Sequence, residues 1–367
     1  MPGRSCGDAN RSRWRTLDWT YDGVGNRLSE TLAGTPDTYV YPPTSNRLDN
    51  TTRSGGTIRS FAYDAIGNII TDTRGGDVIT YTYDDRNRPV TVARYGGSWA
   101  SYAYNGLEQL VTRATTVPVG PIGGSHYVYD LDGHLIAEAD ALTGATIREY
   151  LWLDERPIAI VDNVSTTPVL YFVHADHLAR PVLVTDATKA PVWSAVWKPF
   201  GEAQSITGPL SLDARFPGQW FQIETGLAYN WHRHYDAATG RYIQPDPLGL
   251  IDGPSVYAYA ANSPLTRIDP RGLMNFLAGM GAGARAATNS EGGNVCTADI
   301  SLLFQDATSL LHLVGRKSAP IRCVNCGTPT GTTFAPYCPQ CYDKSLDPNG
   351  GVPPLAGPWV VAPADED

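Results

Sequence analysis

Polar and apolar residues alternate in short runs through the first half of the chain, and clusters of Asp, Gly and Asn break each run. Period-two alternation buries one face of a strand and leaves the other to solvent. Six stretches repeat this design, opening on Tyr21, Tyr41, Tyr63, Tyr83, Tyr104 and Tyr129, at steps of 20, 22, 20, 21 and 25 residues. Weaker units follow at Tyr150 and Tyr171. In each, a short strand ends in Tyr, a turn follows (Gly25-Asn26, Gly67-Asn68), and a second alternating strand runs on, as in Arg27-Leu28-Ser29-Glu30-Thr31-Leu32. Gly and Asn accept the positive φ that tight turns need. A single two-stranded unit cannot bury its apolar face, so neighbours must stack. The pattern predicts a mainly β chain of stacked two-stranded repeats, forming a long antiparallel sheet curled into a shell or spiral. A propeller blade would need about 40 residues, roughly twice this period.

From Trp193 the register becomes irregular while aromatic residues stay dense, which predicts a closing plug. Residues 281–295 are rich in Gly, Ala, Ser and Asn and read as a flexible linker. Leu303, Ala307, Leu310 and Val314 fall at near-helical spacing ahead of Gly315, predicting one amphipathic helix. The Pro- and Gly-rich acidic end reads as disordered. The expected organisation is a disordered start (1–17), a repeat shell (18–192), a plug (193–273), a linker (274–297), a helix-plus-ribbon segment (298–346) and a disordered tail (347–367).

Composition sharpens this picture. The 367 residues hold 37 Gly, 28 Pro and 20 Tyr, and only 18% are charged, which suits a turn-rich β protein more than a helical enzyme. The net charge of −9 argues against general nucleic-acid binding, which needs a basic face. No apolar run is long enough for a membrane-spanning helix. No apolar signal-peptide core follows Met1. The first repeat opens so close to Met1 that a truncated chain, or one module of a longer polypeptide with further repeats upstream, is expected. No phosphate-binding loop, nucleophile elbow or paired-His zinc helix occurs.

The Tyr-Asp units resemble the YD repeats of bacterial Rhs proteins, of the C component of ABC toxins and of teneurins. The segment "RFPGQWFQIETGLAYNWHRHYDAATGRYIQPDPLGL" (215–250) resembles the Rhs core signature, and "NSPLTRIDPRGL" (262–273) resembles its end, Asp-Pro-x-Gly-Leu. The resemblance covers about residues 18 to 273. It implies a hollow β-shell closed by an inward-folded plug, with self-cleavage just after Asp-Pro-x-Gly-Leu. Here that bond joins Leu273 to Met274. The chain's own C-terminal segment would be the cargo, and a secretion system or immunity protein a further partner. Export to the cell surface or outside it, from the cytoplasm and as part of a longer system, would follow, with a role in competition between bacteria.

Asp246 and Asp269 lie in matching Asp-Pro-x-Gly-Leu contexts. Two adjacent carboxyls cannot both ionise, so one can activate water while the other donates a proton. Arg233 matches a family position linked to cleavage, where it would orient a carboxylate or stabilise an oxyanion. The competing reading is that both Asp residues merely cap turns. Such cleavage would act on the chain alone, with no external substrate turned over. His174 and His177 lack a third ligand at ordinary spacing and read as structural. His232 and His234 alternate along a strand-like run, so at most one can face the plug chemistry.

Cys323-x-x-Cys326 and Cys338-x-x-Cys341 have the spacing of a four-thiolate structural zinc ribbon, with disulfides or free thiols as the alternative. His312 stands alone on the expected helix, and the tail shows no toxin-like catalytic cluster. Three functions therefore compete: a self-cleaving shell that encapsulates and releases its C-terminal segment, a surface-displayed repeat scaffold for binding, and a truncated remnant.

Overall fold

A computed structural model describes residues 17–278, apart from residue 33 and residues 117–123. The chain divides between residues 285 and 286, and all described residues lie in the first unit. The expected helix, zinc ribbon and tail fall outside the described residues, as does the expected linker from residue 279 on; its start, 274–278, is not a free linker, because Phe276–Leu277 pairs as a strand with Arg267–Ile268.

Among the described residues the largest sheet has 18 strands, from Leu17–Tyr21 to Ala203–Thr207. Each strand pairs antiparallel with the next in sequence. The sheet is curved. Trp19 in the first strand packs edge-to-face on Phe200, in the turn before the last strand, with ring centroids 5.5 Å apart. The expected β-shell is thus the observed fold class. Strands Pro191–Trp197 and Ala203–Thr207 both join the sheet, so strand pairing continues past residue 192.

The repeat has a physical explanation at each of its signature positions. The Asp (or Asn) after the strand caps the turn: Asp22 Oδ1 accepts from Val24 N and Asn26 N, and Asp64, Asp84, Asn105, Asp130 and Asp176 make equivalent bonds. The Tyr hydroxyl reaches back one repeat. Tyr63 donates to the Leu48 carbonyl at 2.9 Å, Tyr104 to Pro89 at 2.8 Å and Tyr129 to Leu110 at 2.8 Å. The same role at the next unit falls to Trp152, whose Nε1 donates to the Leu135 carbonyl at 2.8 Å, and later to Trp197, which donates to Pro181. The weaker unit expected at Tyr150 is therefore shifted by two residues, because an indole N–H substitutes for the phenol. Tyr150 instead donates to Glu138.

The third residue after each capping Asp or Asn is left-handed, whether it is Gly25, Asn87, Glu108 or Ala179. Glycine is demanded for space at only some of these turns. A Cβ on Gly133 would sit 1.9 Å from the Trp231 ring, so there the inner segment occupies the space a side chain would need.

Residues 212–278 fold against one face of the sheet. They include a small sheet of Trp220–Gln222, Leu227–Asn230, Arg233–Asp236 and Arg241–Tyr242, and a two-stranded ladder of Arg267–Ile268 with Phe276–Leu277. Leu227–Asn230 and Arg233–Asp236 are buried on both faces. Leu227, Tyr229 and Ile243 pack among Ile79, Tyr81 and Val92 of the large sheet. Charged anchors join this apolar contact. Glu224 takes a two-pronged ion pair from Arg113 and a hydrogen bond from Tyr102, and Asp236 pairs with Arg59 at 2.7 Å. Backbone carbonyls of the repeat turns also hold the plug: Gly25 accepts from Asn262, Gly67 from Tyr257, and Leu107 from Trp231.

Candidate functional site

Arg233 begins its strand immediately after a tight turn at Trp231, whose φ is 54°. The side chain is 1% exposed and sits 3.7 Å over the Tyr242 ring. Its position brings two distant turns together. Arg233 Nη2 lies 2.9 Å from Asp246 Oδ2 and 3.1 Å from Asp269 Oδ2. Arg233 Nε donates to the Gly272 carbonyl at 2.5 Å.

The two Asp-Pro-x-Gly-Leu segments form related turns. In each, the Gly N–H donates back to the Asp carbonyl, at 3.0 Å for Gly249 and 3.4 Å for Gly272, and both glycines are left-handed. The carboxylates then differ. Asp246 Oδ1 accepts from Leu248 N at 2.8 Å. Asp269 Oδ1 accepts from Leu273 N at 3.0 Å and Met274 N at 3.2 Å, and so lies against the nitrogen of the Leu273–Met274 peptide bond. Asp269 Oδ2 also accepts from the Tyr242 hydroxyl at 2.8 Å. Asn230 donates to that hydroxyl at 2.7 Å and to the Asp269 carbonyl at 2.9 Å, fixing the turn from behind.

One guanidinium shared by two buried carboxylates leaves the group short of positive charge, which favours a proton on one of them. Burial raises the Asp246 carboxyl against the opposing pull of Arg233, and neighbouring Asp269 adds to the rise. Asp252, a third carboxylate nearby, is likewise raised mainly by burial.

The chain matches no family model. It is similar to the toxin protein Tse5 of Pseudomonas aeruginosa, 41% identical over 117 residues, covering 32% of this chain and 9% of that protein. It is similar to double-stranded DNA deaminase toxin A of Burkholderia cenocepacia, 26% identical over 238 residues, covering 52% and 16%. It is also similar to RhsB of Dickeya dadantii, 52% identical over 58 residues, covering 16% and 4%. These similarities support an Rhs/YD-repeat toxin-related protein. The Rhs-related chain spans only a small part of the length of these relatives. Among solved structures, TcdB2-TccC3 without its hypervariable C-terminal region overlaps 70% of this chain and 19% of that one at 15% identity and a TM-score of 0.29. So loose an overlap adds nothing to the fold described above.

His174, His177 and His234 settle apart from the carboxylate pair, whereas His232 reaches the turn that carries Asp269. His174 meets Thr185 Oγ1, and His177 meets the Leu265 carbonyl. His234 faces Tyr102 and Tyr229 of the shell contact, where burial drives its pKa down to about 3. His232 Nδ1 contacts the Arg271 carbonyl at 2.9 Å. Asp130, Asp132 and His134 bring ligand atoms within 4.8 Å of one another, but Asp130 there is the turn cap of its repeat. Sequence reasoning did not single out Tyr242, Asn230, Asp252 or Asn275 for the site. No local motif marks them, because their roles depend on where the two Asp-Pro turns meet.

Proposed function

We propose that this chain is an Rhs-type shell that cuts itself after Leu273 and confines the C-terminal segment as cargo until release. The observation that supports the reading best is the joint hold on the carboxylates. Asp246 and Asp269 share one buried nitrogen of Arg233 while Asp269 lies against the Met274 nitrogen. In this reading Asp246 keeps the shared proton and donates it toward the Leu273 carbonyl oxygen. Asp269 takes a proton from the attacking water and passes it to the Met274 nitrogen. The water oxygen bonds to the Leu273 carbonyl carbon and the C–N bond breaks. As that bond breaks the proton on the Leu273 oxygen returns to Asp246, and the new Leu273 carboxylic acid gives up its remaining proton to the Met274 amine. Arg233 offsets the negative charge that develops.

The same reading gives the tail a structural zinc site at Cys323, Cys326, Cys338 and Cys341, on their spacing alone. It also carries the chain out of the cell with an upstream or secretion partner. Among the described residues no helix is long and apolar enough to cross a membrane. A second reading has a specific observation in its favour. Both Asp side chains cap their own turns, as inert Asp-Pro turns of a binding scaffold would.

Intact mass spectra of freshly purified protein, with and without denaturant, separate the two. A fragment ending at Leu273, absent from Asp246→Asn and Asp269→Asn, supports the cutting shell. Co-elution of the tail without denaturant supports confinement. A single full-length mass after long incubation at several pH values favours the scaffold.

A further inference from the structure

The Leu273–Met274 bond is also held from its downstream side, by groups outside the carboxylate pair. Asn275 Nδ2 donates to Asp252 Oδ1 at 2.5 Å, and the Asn275 backbone N–H donates to the same oxygen at 3.2 Å. Asn275 Oδ1 accepts from Arg267 Nη1 at 2.5 Å. Both ends of this amide are therefore occupied. Arg267 can only donate, and a carboxylate can only accept, so one orientation of the amide fits. Beyond it the chain is fixed as a strand. Phe276 pairs with Ile268, Leu277 with Arg267, and Ala278 N donates to the Thr266 carbonyl at 2.7 Å.

The clamp belongs to the two segments that carry the carboxylates. Asp252 lies in the turn that follows Asp246, and Arg267 leads through Ile268 into Asp269. A chain fixed only at Leu273 could slip along the site. One fixed at Asn275 as well presents a single bond.

We propose that Asp252 and Arg267 are positioning residues that clamp Asn275 and set the register in which Leu273–Met274 meets the carboxylate pair. This rests on Asp246 and Asp269 being the cleaving pair. The clamp selects a short amide at position 275. Alanine offers neither donor nor acceptor, and aspartate sets a second carboxylate against Asp252.

The test follows cutting of the full chain by intact mass at about pH 5 and about pH 8, around the carboxyl range and well above it. Asn275→Ala is expected to cut at least about tenfold more slowly than wild type at both, or at additional bonds, since small misplacements cost about that much or more. Asn275→Asp is expected to be as slow at the higher pH. It should approach the wild-type rate at the lower pH, where the two facing carboxyls share a proton. A purely structural role for Asn275 would not produce that pH-dependent ratio. Both variants cutting at the wild-type rate, solely after Leu273, would overturn the clamp. An uncut wild type sinks the cleaving pair instead. The clamp is then read from amide exchange of residues 274–278 in the Asp269→Asn chain. It is expected to slow exchange there, and adding Asp252→Ala should lift that protection. Equal exchange with and without Asp252→Ala refutes the clamp whatever the cutting result.

Discussion

Gly218 and Pro270 meet backbone to backbone: a methyl group on Gly218 would lie 1.8 Å from the Pro270 carbonyl oxygen, and Gly218 is itself left-handed at φ 80°. The start of the plug thereby sets the depth of the turn that carries Asp269. Gly218→Ala should displace that turn and lower stability by about 1–3 kcal/mol through strain and overpacking. Thermal unfolding and intact mass together check this. Unchanged stability with unchanged cutting would show that the contact relaxes freely.

Arg233 is the counter-charge of two buried carboxylates. Arg233→Met should leave them unpaired and cost about 3–5 kcal/mol at neutral pH. The loss should shrink in acid, where the carboxyls accept protons. Urea unfolding of wild type and variant at several pH values measures it. A pH-independent difference would deny the electrostatic role.

Asp246 and Asp252 are raised mainly by burial. A carboxyl whose folded pKa exceeds its unfolded value stabilises the fold fully below the unfolded pKa. That contribution is lost as pH rises through the folded pKa. Asp246→Asn, which imitates the protonated form, should therefore gain stability relative to wild type at about pH 8 and show no gain at about pH 4. It should remain uncut throughout. A variant less stable than wild type at the higher pH would mean that the Arg233 contact outweighs burial there.

Glu224 joins the plug to the shell through Arg113 and Tyr102. Its removal as Glu224→Gln leaves the buried Arg113 guanidinium with Asp213, 3.9 Å away, as its remaining charge partner, for an expected loss of about 3 kcal/mol, the low end for breaking a buried pair. Because this anchor is remote in sequence from the carboxylate pair, cutting should slow only as the plug detaches. Hydrogen exchange across residues 220–236 should rise in step with it.

For the tail, the expected result is one zinc per chain by elemental analysis, lost in a Cys323→Ser/Cys341→Ser chain. Stoichiometric disulfides by mass, without zinc, would replace the ribbon by cross-links.

The repeats were legible because one chemical job recurs at one position. Tyr63, Tyr104 and Tyr129 each hand a hydroxyl to the preceding repeat, and Asp22 and Asp64 each cap a turn. Where a different residue does the same job, as Trp152 does, a search for Tyr misplaces the unit by two positions. Asp246 and Asp269 were visible as a duplicated motif, whereas Arg233 came forward only through resemblance. Asn230, Tyr242 and Asp252 carry no signal of their own. Their partners lie in other turns, and only the folded plug brings those turns to one point.

The large sheet is a meander in which every strand joins its predecessor, so each pairing needs only a short loop to close. The plug contacts are the opposite: Asn262 reaches back to Gly25, and Arg241 to Asn26. Local pairings close early and distant ones late, because the entropy of closing a long loop must be met first. A chain folding from its start would lay down the wall strand by strand before Asp269 could meet Arg233. On the function proposed above, cutting would then follow the building of the sheet, since Asp269 joins Arg233 and Asp246 from a part of the chain that comes after every strand of that sheet.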